Sequence, residues 1–464
     1  MQSLPMFAIA AAAVVPPLLL LAWRRLHWRQ DFLLLFFYAE SVAYIHLFPA
    51  FWFANIGYDL RSSYLQLSIE ALVLFECPLL VWYVWARRRR AGMPGEVCLR
   101  GPGVALLGVL AVLTSVVFLV VSIRTHSFFT HTSTATIEAA LLDLPLAAYI
   151  LLRLYEMCGA ATALTLLAAW QHAPRRSRIR IWSAACAGLA GGIYLVQRIV
   201  NSRLDVLLFA VLAAAMFLTA APQRRFARRN LAAAAALLLL AGYGYRIALR
   251  ARDLYGTTGA IPLSVLNPFP STIATENPFN RLGLRLNGLD LMARIGIVAA
   301  HTGFAHGAAW VTPTRILWNN LTLNRSANAA YHLTLEDTPK RYLMLHYTTL
   351  TFDDYPNCIL TDVYGNFGLA GFVLAATVIG VTLGVASRWL AAPCNGYGII
   401  FALFFLQYAL SFEQEFFTYC IAMVKFAPAL AIVLLCRPFA ALPRPRTNSG
   451  AGFSPMAKEH LAAG

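Results

Sequence analysis

Arginine side chains in the middle of the chain have the residue type and spacing that point most directly to a chemistry. Arg281 and Arg285 are four positions apart in a segment whose apolar residues recur at helical spacing, so they share one helical face. A guanidinium group offers a planar fork of donors that fits phosphate oxygens two at a time. We therefore expect these two residues, with Arg294 farther along, to bind phosphate. The alternative is an amphipathic helix lying on a membrane surface.

Another candidate cation stands in a short polar turn between two apolar runs, Asn201-Ser202-Arg203-Leu204-Asp205. A cation next to a membrane-spanning run is costly and tends to serve a function. We therefore expect Arg203 to line a binding site. The alternative is that it pairs with Asp205 or extends to lipid headgroups.

Residues 353–371 hold further polar side chains at the point where a polar stretch meets an apolar run. Asp362, Tyr364 and Asn366 occupy alternate positions there. We expect Tyr364 and Asn366 to bind substrate and Asp362 to take part in catalysis. The alternative is that Thr361 or Asp362 only caps the N-terminus of a helix.

Other motifs that would indicate a cofactor are missing from the sequence. It contains no Gly-rich phosphate loop with a lysine and no Rossmann fingerprint. No Cys/His spacing indicates zinc, and His301 and His306 are five positions apart, which suits one helical face poorly. Five of the eight cysteines lie in apolar runs and form no disulfide framework. We expect neither a metal nor a cofactor.

These residues belong to a chain that is too apolar to be a soluble protein. Of its 464 residues, 59% are hydrophobic and 12% are charged, whereas soluble proteins carry roughly 25% charged residues. Its mean hydropathy is +0.63, and apolar runs of about 20 residues recur along it. The composition excludes a secreted enzyme, a cytosolic enzyme and a nucleic-acid-binding domain. It predicts an all-α, polytopic protein of the lipid bilayer.

The net charge of +16 is distributed as a set of topology signals. Arginine clusters separate the apolar runs, and short arginine-rich loops stay in the cytoplasm. The clusters lie at residues 24–29, 87–90, 175–180 and 224–229. Their alternation predicts about eleven transmembrane helices, with the N-terminus outside and the C-terminus inside. It also places Arg203, Glu413 and the long polar stretch on the outer face.

The same alternation predicts a division of the chain into four parts. They are an N-terminal membrane bundle of about eight helices in 1–247, a large outer loop with amphipathic helices in 248–360, a C-terminal bundle of about three helices in 361–436 and a disordered cytoplasmic tail in 437–464. Long loops that are not simple connectors are usually functional. We therefore expect the chemistry on the outer face.

In layout and motifs the chain resembles the Wzy-type polymerases of bacterial surface polysaccharides, and more narrowly the oligosaccharide repeat unit polymerases. The shared features are the Asn-Ser-Arg turn ending at Arg203, the Arg281-x-x-x-Arg285 segment in a single large outer loop, and the loop exit Thr361-Asp-Val-Tyr-Gly-Asn-Phe-Gly-Leu-Ala-Gly371. The layout covers most of the chain, whereas the motifs cover about 30 residues. Asn201 replaces the small residue usual in the turn.

The resemblance implies a GT-C-like glycosyltransferase of the bacterial inner membrane with its active site on the periplasmic face. It would polymerise undecaprenyl-diphosphate-linked oligosaccharide repeat units into O-antigen, capsule or exopolysaccharide. The lipid diphosphate would be the leaving group, and arginine side chains would stabilise its growing charge. A chain-length regulator and a flippase are the implied protein partners, and nucleic acid is not one.

Attack by a sugar hydroxyl needs a base within hydrogen-bonding reach, because the pKa of such a hydroxyl is far above 7. The candidates on the outer face are His346, Asp354, Asp362 and Glu413.

Other functions stay open at this point. The chain could be an O-antigen ligase or another lipid-linked glycosyltransferase, since the ligases have a similar architecture. It could be a secondary transporter or flippase coupled through Glu40, Glu70 and Glu76, although no inverted repeat is visible. A membrane acyltransferase would need a His-led motif, which the surroundings of His301 and His346 do not show.

Overall fold

The computed structural model describes part of the chain. The described residues are 3–27, 31–88, 98–99, 101–124, 144–152, 154, 166, 177–201, 243, 287–322, 324, 327, 338–348, 357–391, 412, 414–421 and 440–441. Five of the predicted site residues lie outside them. These are Arg203, Arg281, Arg285, Asp354 and Glu413.

The described elements are almost entirely helical. The N-terminal helices are α1 (Leu4–Ala22), α2 (Phe32–Val42), α3 (Phe48–Trp52), α4 (Tyr58–Ala71), α5 (Cys77–Arg88), α6 (Gly101–Arg124) and α7 (Arg178–Asn201). The later helices are α8 (Gly288–Thr302), α9 (Val311–Leu321), α10 (Pro339–Tyr347), α11 (Ile359–Phe367) and α12 (Leu369–Ala391). Two two-residue strands, β1 (Cys98–Leu99) and β2 (Ala440–Ala441), pair antiparallel.

Two pairs of these helices continue into each other through π-helical turns. Ala43–Leu47 joins α2 to α3, which ends in a 3-10 turn at Phe53–Asn55. Leu72–Glu76 joins α4 to α5. Each pair therefore forms one long helix with a local widening of the backbone in its interior.

Five helices in the described part of the chain are long and apolar enough to cross a membrane. They are Leu4–Ala22, Leu33–Asn55, Leu60–Arg88, Val104–Val121 and Leu369–Ser387. At 1.5 Å per residue, about 20 residues span the hydrocarbon core. The prediction of a helical membrane protein is thereby confirmed, and the total of eleven spans and the GT-C-like architecture stay predictions.

Glycines allow α12 to pack closely against α5, and their contacts show the direction in which α12 runs. A Cβ on Gly380 would lie 2.7 Å from the carbonyl oxygen of Leu79, and one on Gly384 would lie 2.8 Å from that of Tyr83. Small residues permit such close contact between membrane helices. The pairs advance together along both helices, so α12 runs parallel to α5. Its N-terminus therefore lies at the end of the bundle opposite Arg87.

We call the end near Arg87 the arginine end, and it is closed by a buried ion pair. Arg87 donates to Arg25 O at 3.1 Å and to Asp31 Oδ2 at 2.8 Å. The Tyr83 hydroxyl donates to Asp31 Oδ1 at 2.6 Å. Asp31 is fully buried. Together with the amide of His27, which donates to Oδ2 at 2.5 Å, these partners satisfy a carboxylate that would otherwise be costly to bury.

The two π-helical turns bring a second polar pair into the bundle interior. His46 Nε2 lies 3.1 Å from Glu76 Oε1, and both side chains are fully buried. Ser41 donates to Glu76 Oε1 at 2.7 Å, and His46 Nδ1 lies 2.6 Å from Ser68 Oγ. Each turn thus contributes one member of a pair that joins the second and third long helices.

We call the opposite end, where α4 and α12 begin, the loop end. Helix α8, which belongs to the long polar stretch, packs into the core there. Leu289, Met292 and Ile295 of α8 are fully buried in the same apolar cluster as Phe37 of α2 and Phe372 of α12. Within residues 248–360, α8 is therefore integrated into the bundle.

Candidate functional site

The described candidate site forms around α11, which lies at the loop end immediately before α12. Cys358 is the N-cap residue of α11, and Thr361 accepts a hydrogen bond from Cys358 N at 3.3 Å. The alternative of a capping role is therefore confirmed for Thr361, which caps the N-terminus of α11 as the third helical residue of a capping box, and it is wrong for Asp362. Asp362 lies one turn inside the helix, and its carboxylate is available for contacts with other elements.

Asp362 is buried and connects α11 to two other segments, those that carry Trp310 and Phe417. Its Oδ1 accepts hydrogen bonds from Trp310 Nε1 at 2.7 Å and from Asn366 Nδ2 at 3.0 Å. Its Oδ2 accepts one from Phe417 N at 2.8 Å. Burial raises the pKa of Asp362 to about 6, although these three donors favour its charged form.

Asn366 fastens the loop between α8 and α9 to the end of α11. Its backbone carbonyl accepts from His306 N at 2.8 Å, and its side-chain Oδ1 accepts from Gly307 N at 3.1 Å. The loop can turn this tightly because Gly303 and Gly307 adopt positive φ angles of 82° and 90°. Asn366 therefore helps to hold Trp310, three residues after Gly307, over Asp362.

Aromatic rings surround the Asp362 carboxylate. The centroid of the Trp310 ring lies 5.1 Å from that of Phe367 and 6.1 Å from those of Phe416 and Phe417. These rings exclude water from one side of the carboxylate, which accounts for its desolvation.

Glu415 is a second carboxylate in the same group; the residue as a whole is partly exposed, but its carboxyl group is shielded from water. Its Oε1 accepts a hydrogen bond from Lys340 N at 2.9 Å, at the first turn of α10. Thr418 Oγ1 donates to its Oε2 at 3.4 Å. Burial and, second, the charge of Asp362 raise the pKa of Glu415 to about 7, against the effects of Lys340 and Thr418.

Together the two carboxylates have a chemical use. A carboxylate with a pKa near 7 exchanges a proton with bound hydroxyl groups more readily than an ordinary, more acidic one. Paired carboxylates with raised pKa values are common at sites of acid–base catalysis, although structural clusters also occur. The arrangement can therefore serve general acid–base chemistry at the loop end.

Tyr364 lies on α11 with its ring packed between helices. A Cβ on Gly296 of α8 would lie 2.8 Å from the Tyr364 hydroxyl oxygen, so a glycine is needed there. The Tyr364 ring contacts Phe304 and Phe372 with centroids 5.4 and 5.6 Å away. Tyr364 is almost fully buried, and this burial raises the pKa of its hydroxyl. In this structure it packs α8 against α11.

Arg294, predicted to bind phosphate, is engaged by a carboxylate. Its Nε donates to Asp290 Oδ2 at 2.9 Å, and the guanidinium is partly exposed. Asp290 Oδ1 accepts from the Tyr64 hydroxyl at 2.6 Å, and Asn287 Nδ2 donates to the same hydroxyl at 3.0 Å. A phosphate bound to Arg294 would therefore share it with Asp290.

His346 lies in the last turn of α10 and is exposed. Its ring packs on that of Tyr342, with centroids 4.2 Å apart. Among the predicted residues, the structure brings Asp362 and Asn366 into direct contact, with Tyr364 on the same short helix. Arg294 and His346 lie on neighbouring helices, α8 and α10.

Two residues of the group were missed by the sequence analysis. Trp310 carried no signal, because a tryptophan in a polar stretch is most simply explained by packing or by a membrane interface. Glu415 did carry one, since it belongs to the acidic turn Glu413-Gln414-Glu415. Glu413 is the predicted candidate in that turn.

Comparison with known proteins adds no relative: no protein-family model, curated protein or solved structure matches the chain.

Proposed function

We propose that this protein is a membrane glycosyltransferase that polymerises polyprenyl-diphosphate-linked oligosaccharide repeat units. One observation carries the proposal. The predicted loop-exit residue Asp362, which is bonded to Asn366, forms with Glu415 a pair of carboxylates with raised pKa values at one end of an apolar helical bundle. A lipid-linked sugar presents its reacting atoms at the end of a membrane bundle, where its diphosphate meets water. A group suited to proton transfer at that place fits such a substrate.

The reaction requires cations as well as a base. As the bond to the lipid diphosphate breaks, negative charge grows on the leaving oxygen, and positioned guanidinium groups stabilise it. Arg203, Arg281 and Arg285 are proposed for this role, with Arg294 at the edge of the site. A carboxylate removes the proton of the acceptor hydroxyl. This assignment places the active site on the periplasmic face of a bacterial inner membrane.

A ligase of similar architecture would use the same chemistry on a different acceptor. A polymerase extends a second lipid-linked repeat unit, whereas a ligase transfers the glycan to an unrelated acceptor. The loop exit at residues 361–371, which resembles that of the oligosaccharide repeat unit polymerases, favours the polymerase.

The buried pair of His46 and Glu76 favours a second candidate, a transporter, because ionisable pairs inside membranes often form ion or proton pathways. A transporter would leave the carboxylates at the loop end without a reaction. An assay of glycan extension separates these possibilities, since only a polymerase produces chains of several repeat units from purified lipid-linked substrate.

The test uses the full-length protein in lipid nanodiscs with a lipid-linked repeat unit, and it measures the length and amount of product. Arg203→Ala and Arg281→Ala should each reduce extension roughly ten- to a hundredfold, because a charge-assisted contact contributes about 1.5–3 kcal/mol. Arg→Lys at either position should restore activity only partly, since the bidentate fork is lost. Arg315→Ala, which removes an exposed arginine of α9, is the matched control and should extend normally. Absence of any extended product with the parent protein would refute the proposal.

A further inference from the structure

At the loop end, Asp362 and Glu415 differ in whether their carboxylates can accept a further hydrogen bond from a ligand. Asp362 is 1% exposed, and its two oxygens already accept three hydrogen bonds. A substrate hydroxyl could reach it only by displacing Trp310, Asn366 or the amide of Phe417. Asp362 is therefore suited to position its neighbours rather than to touch a substrate.

Glu415 has more acceptor capacity left than Asp362. Its Oε2 receives one long hydrogen bond of 3.4 Å from Thr418. A carboxylate has about four acceptor sites on its two oxygens, so Glu415 can accept a further donor. The bond from Lys340 N to Oε1 fixes the orientation of the group at the start of α10. His346 lies six residues after Lys340 on α10, about 9 Å from it along the helix axis.

Side-chain amides next to Glu415 offer further acceptors. A hydrogen bond of 3.0 Å from Ile359 N to Phe412 O joins the start of α11 to the segment that carries Glu415. Asn357 and Gln414 flank this bond, each two residues from it along the chain. In the described part of the chain, Asn357 Oδ1 and Gln414 Oε1 are buried oxygens without a hydrogen-bond donor, and Asn357 is 6% exposed.

Such oxygens are costly to bury unless a donor reaches them. The missing donors correspond to a ligand that carries several hydroxyl groups. A sugar has donors at this density, whereas a phosphate group offers only acceptors when it is ionised. The amide oxygens therefore point to a carbohydrate rather than to the diphosphate.

We propose that Glu415 is the general base of the reaction and that Asn357 and Gln414 line the subsite for the acceptor sugar. This inference rests on the proposed function. The acceptor oxygen forms a bond to the anomeric carbon of the donor glycan, and the bond from that carbon to the lipid diphosphate breaks with its electron pair going to the diphosphate. The hydroxyl proton passes to Glu415. Asp362 acts as a positioning residue through the amide of Phe417, two residues after the base.

The decisive variants test the base and the subsite separately. Glu415→Gln keeps the shape of the side chain and should lower kcat by about 10²–10⁴-fold, the range for loss of a general base, with little change in KM. Asn357→Ala and Gln414→Ala should instead raise KM for the acceptor more than they lower kcat. Arg315→Ala, the exposed arginine of α9 that serves as the control above, should again extend at the parent rate. Thermal unfolding of each variant verifies that it is folded.

The pH profile supplies a readout that a structural role would not change. The parent kcat should fall below about pH 7, because Glu415 then binds a proton, and this dependence should disappear from the residual rate of Glu415→Gln. Within the described residues, Asp362 and Lys340 are the charged groups that act on Glu415. Asp362→Asn removes the negative charge and should move the acidic limb to lower pH.

The possible failures are distinguishable. If the parent protein extends lipid-linked repeat units and folded Glu415→Gln does so at the parent rate, the base assignment is wrong and the proposed function stands. If Asn357→Ala and Gln414→Ala leave KM unchanged, the subsite assignment is wrong. If the parent protein extends nothing, the proposed function and this inference both fail.

Discussion

Replacing Asp362 by asparagine should alter the pH dependence of stability in a way that follows from its burial. The pKa of Asp362 rises from 3.8 to about 6 in the folded protein. Between these values the folded state keeps a proton that the unfolded state releases, so stability decreases as the pH rises. At 1.36 kcal/mol per pKa unit, the loss is about 3 kcal/mol once the pH exceeds 6. Asp362→Asn removes this loss, because an amide does not ionise.

The assay is chemical or thermal unfolding of the purified protein in one lipid environment at several values between pH 4 and 7. The difference between the variant and the parent should grow in favour of the variant by about 3 kcal/mol across this interval, on top of a constant change from altered hydrogen bonds. Glu415 and Cys420 are titratable groups that interact electrostatically with Asp362. Glu415→Gln, the matched control, should keep the decrease between pH 4 and 6. A difference that does not vary with pH would show that Asp362 is not desolvated as described.

Two further predictions concern packing and topology. Gly371→Ala should destabilise the protein by about 1–3 kcal/mol, because its Cβ would overlap the carbonyl oxygen of Val363. Gly192→Ala, whose Cβ meets no described atom within 4 Å, is the control for an unfolding measurement. In a cysteine-free background, Leu345→Cys, at an exposed position of α10, should react with an impermeant thiol reagent added from the outside. Arg25→Cys at the arginine end should react only after permeabilisation, and the reverse pattern would invert the predicted topology.

The sequence predicts the parts of this fold that depend on local pattern. The long apolar helices follow from runs whose length matches a bilayer. Asp362 and Asn366 are predicted site residues because they are polar and lie where such a run begins. Four residues apart on α11, they are joined by a hydrogen bond. Local spacing is enough to place two such side chains together.

Long-range contacts account for what the sequence did not predict. Trp310 and Asp362 are 52 positions apart, and Lys340 and Glu415 are 75 apart. No local pattern indicates that these pairs meet, because their contact depends on how α10 and α11 pack. The start of α8 is a further example: apolar periodicity ran continuously through residues 280–295, yet Asn287 has non-helical angles and serves as the N-cap residue. An Asn-Gly pair is the local signal for such a break.

The pair of His46 and Glu76 has a consequence for the biogenesis of the protein. A charged side chain at the centre of a lone helix opposes its transfer from the translocon into lipid by about 2.5–3.5 kcal/mol. Only residues 56 and 57 separate the two long helices that carry this pair. A helical hairpin in which each residue meets its partner before reaching the hydrocarbon avoids that cost. The second and third long helices should therefore leave the translocon together, and a ribosome stalled after the second helix alone should hold a segment that has not yet entered the bilayer.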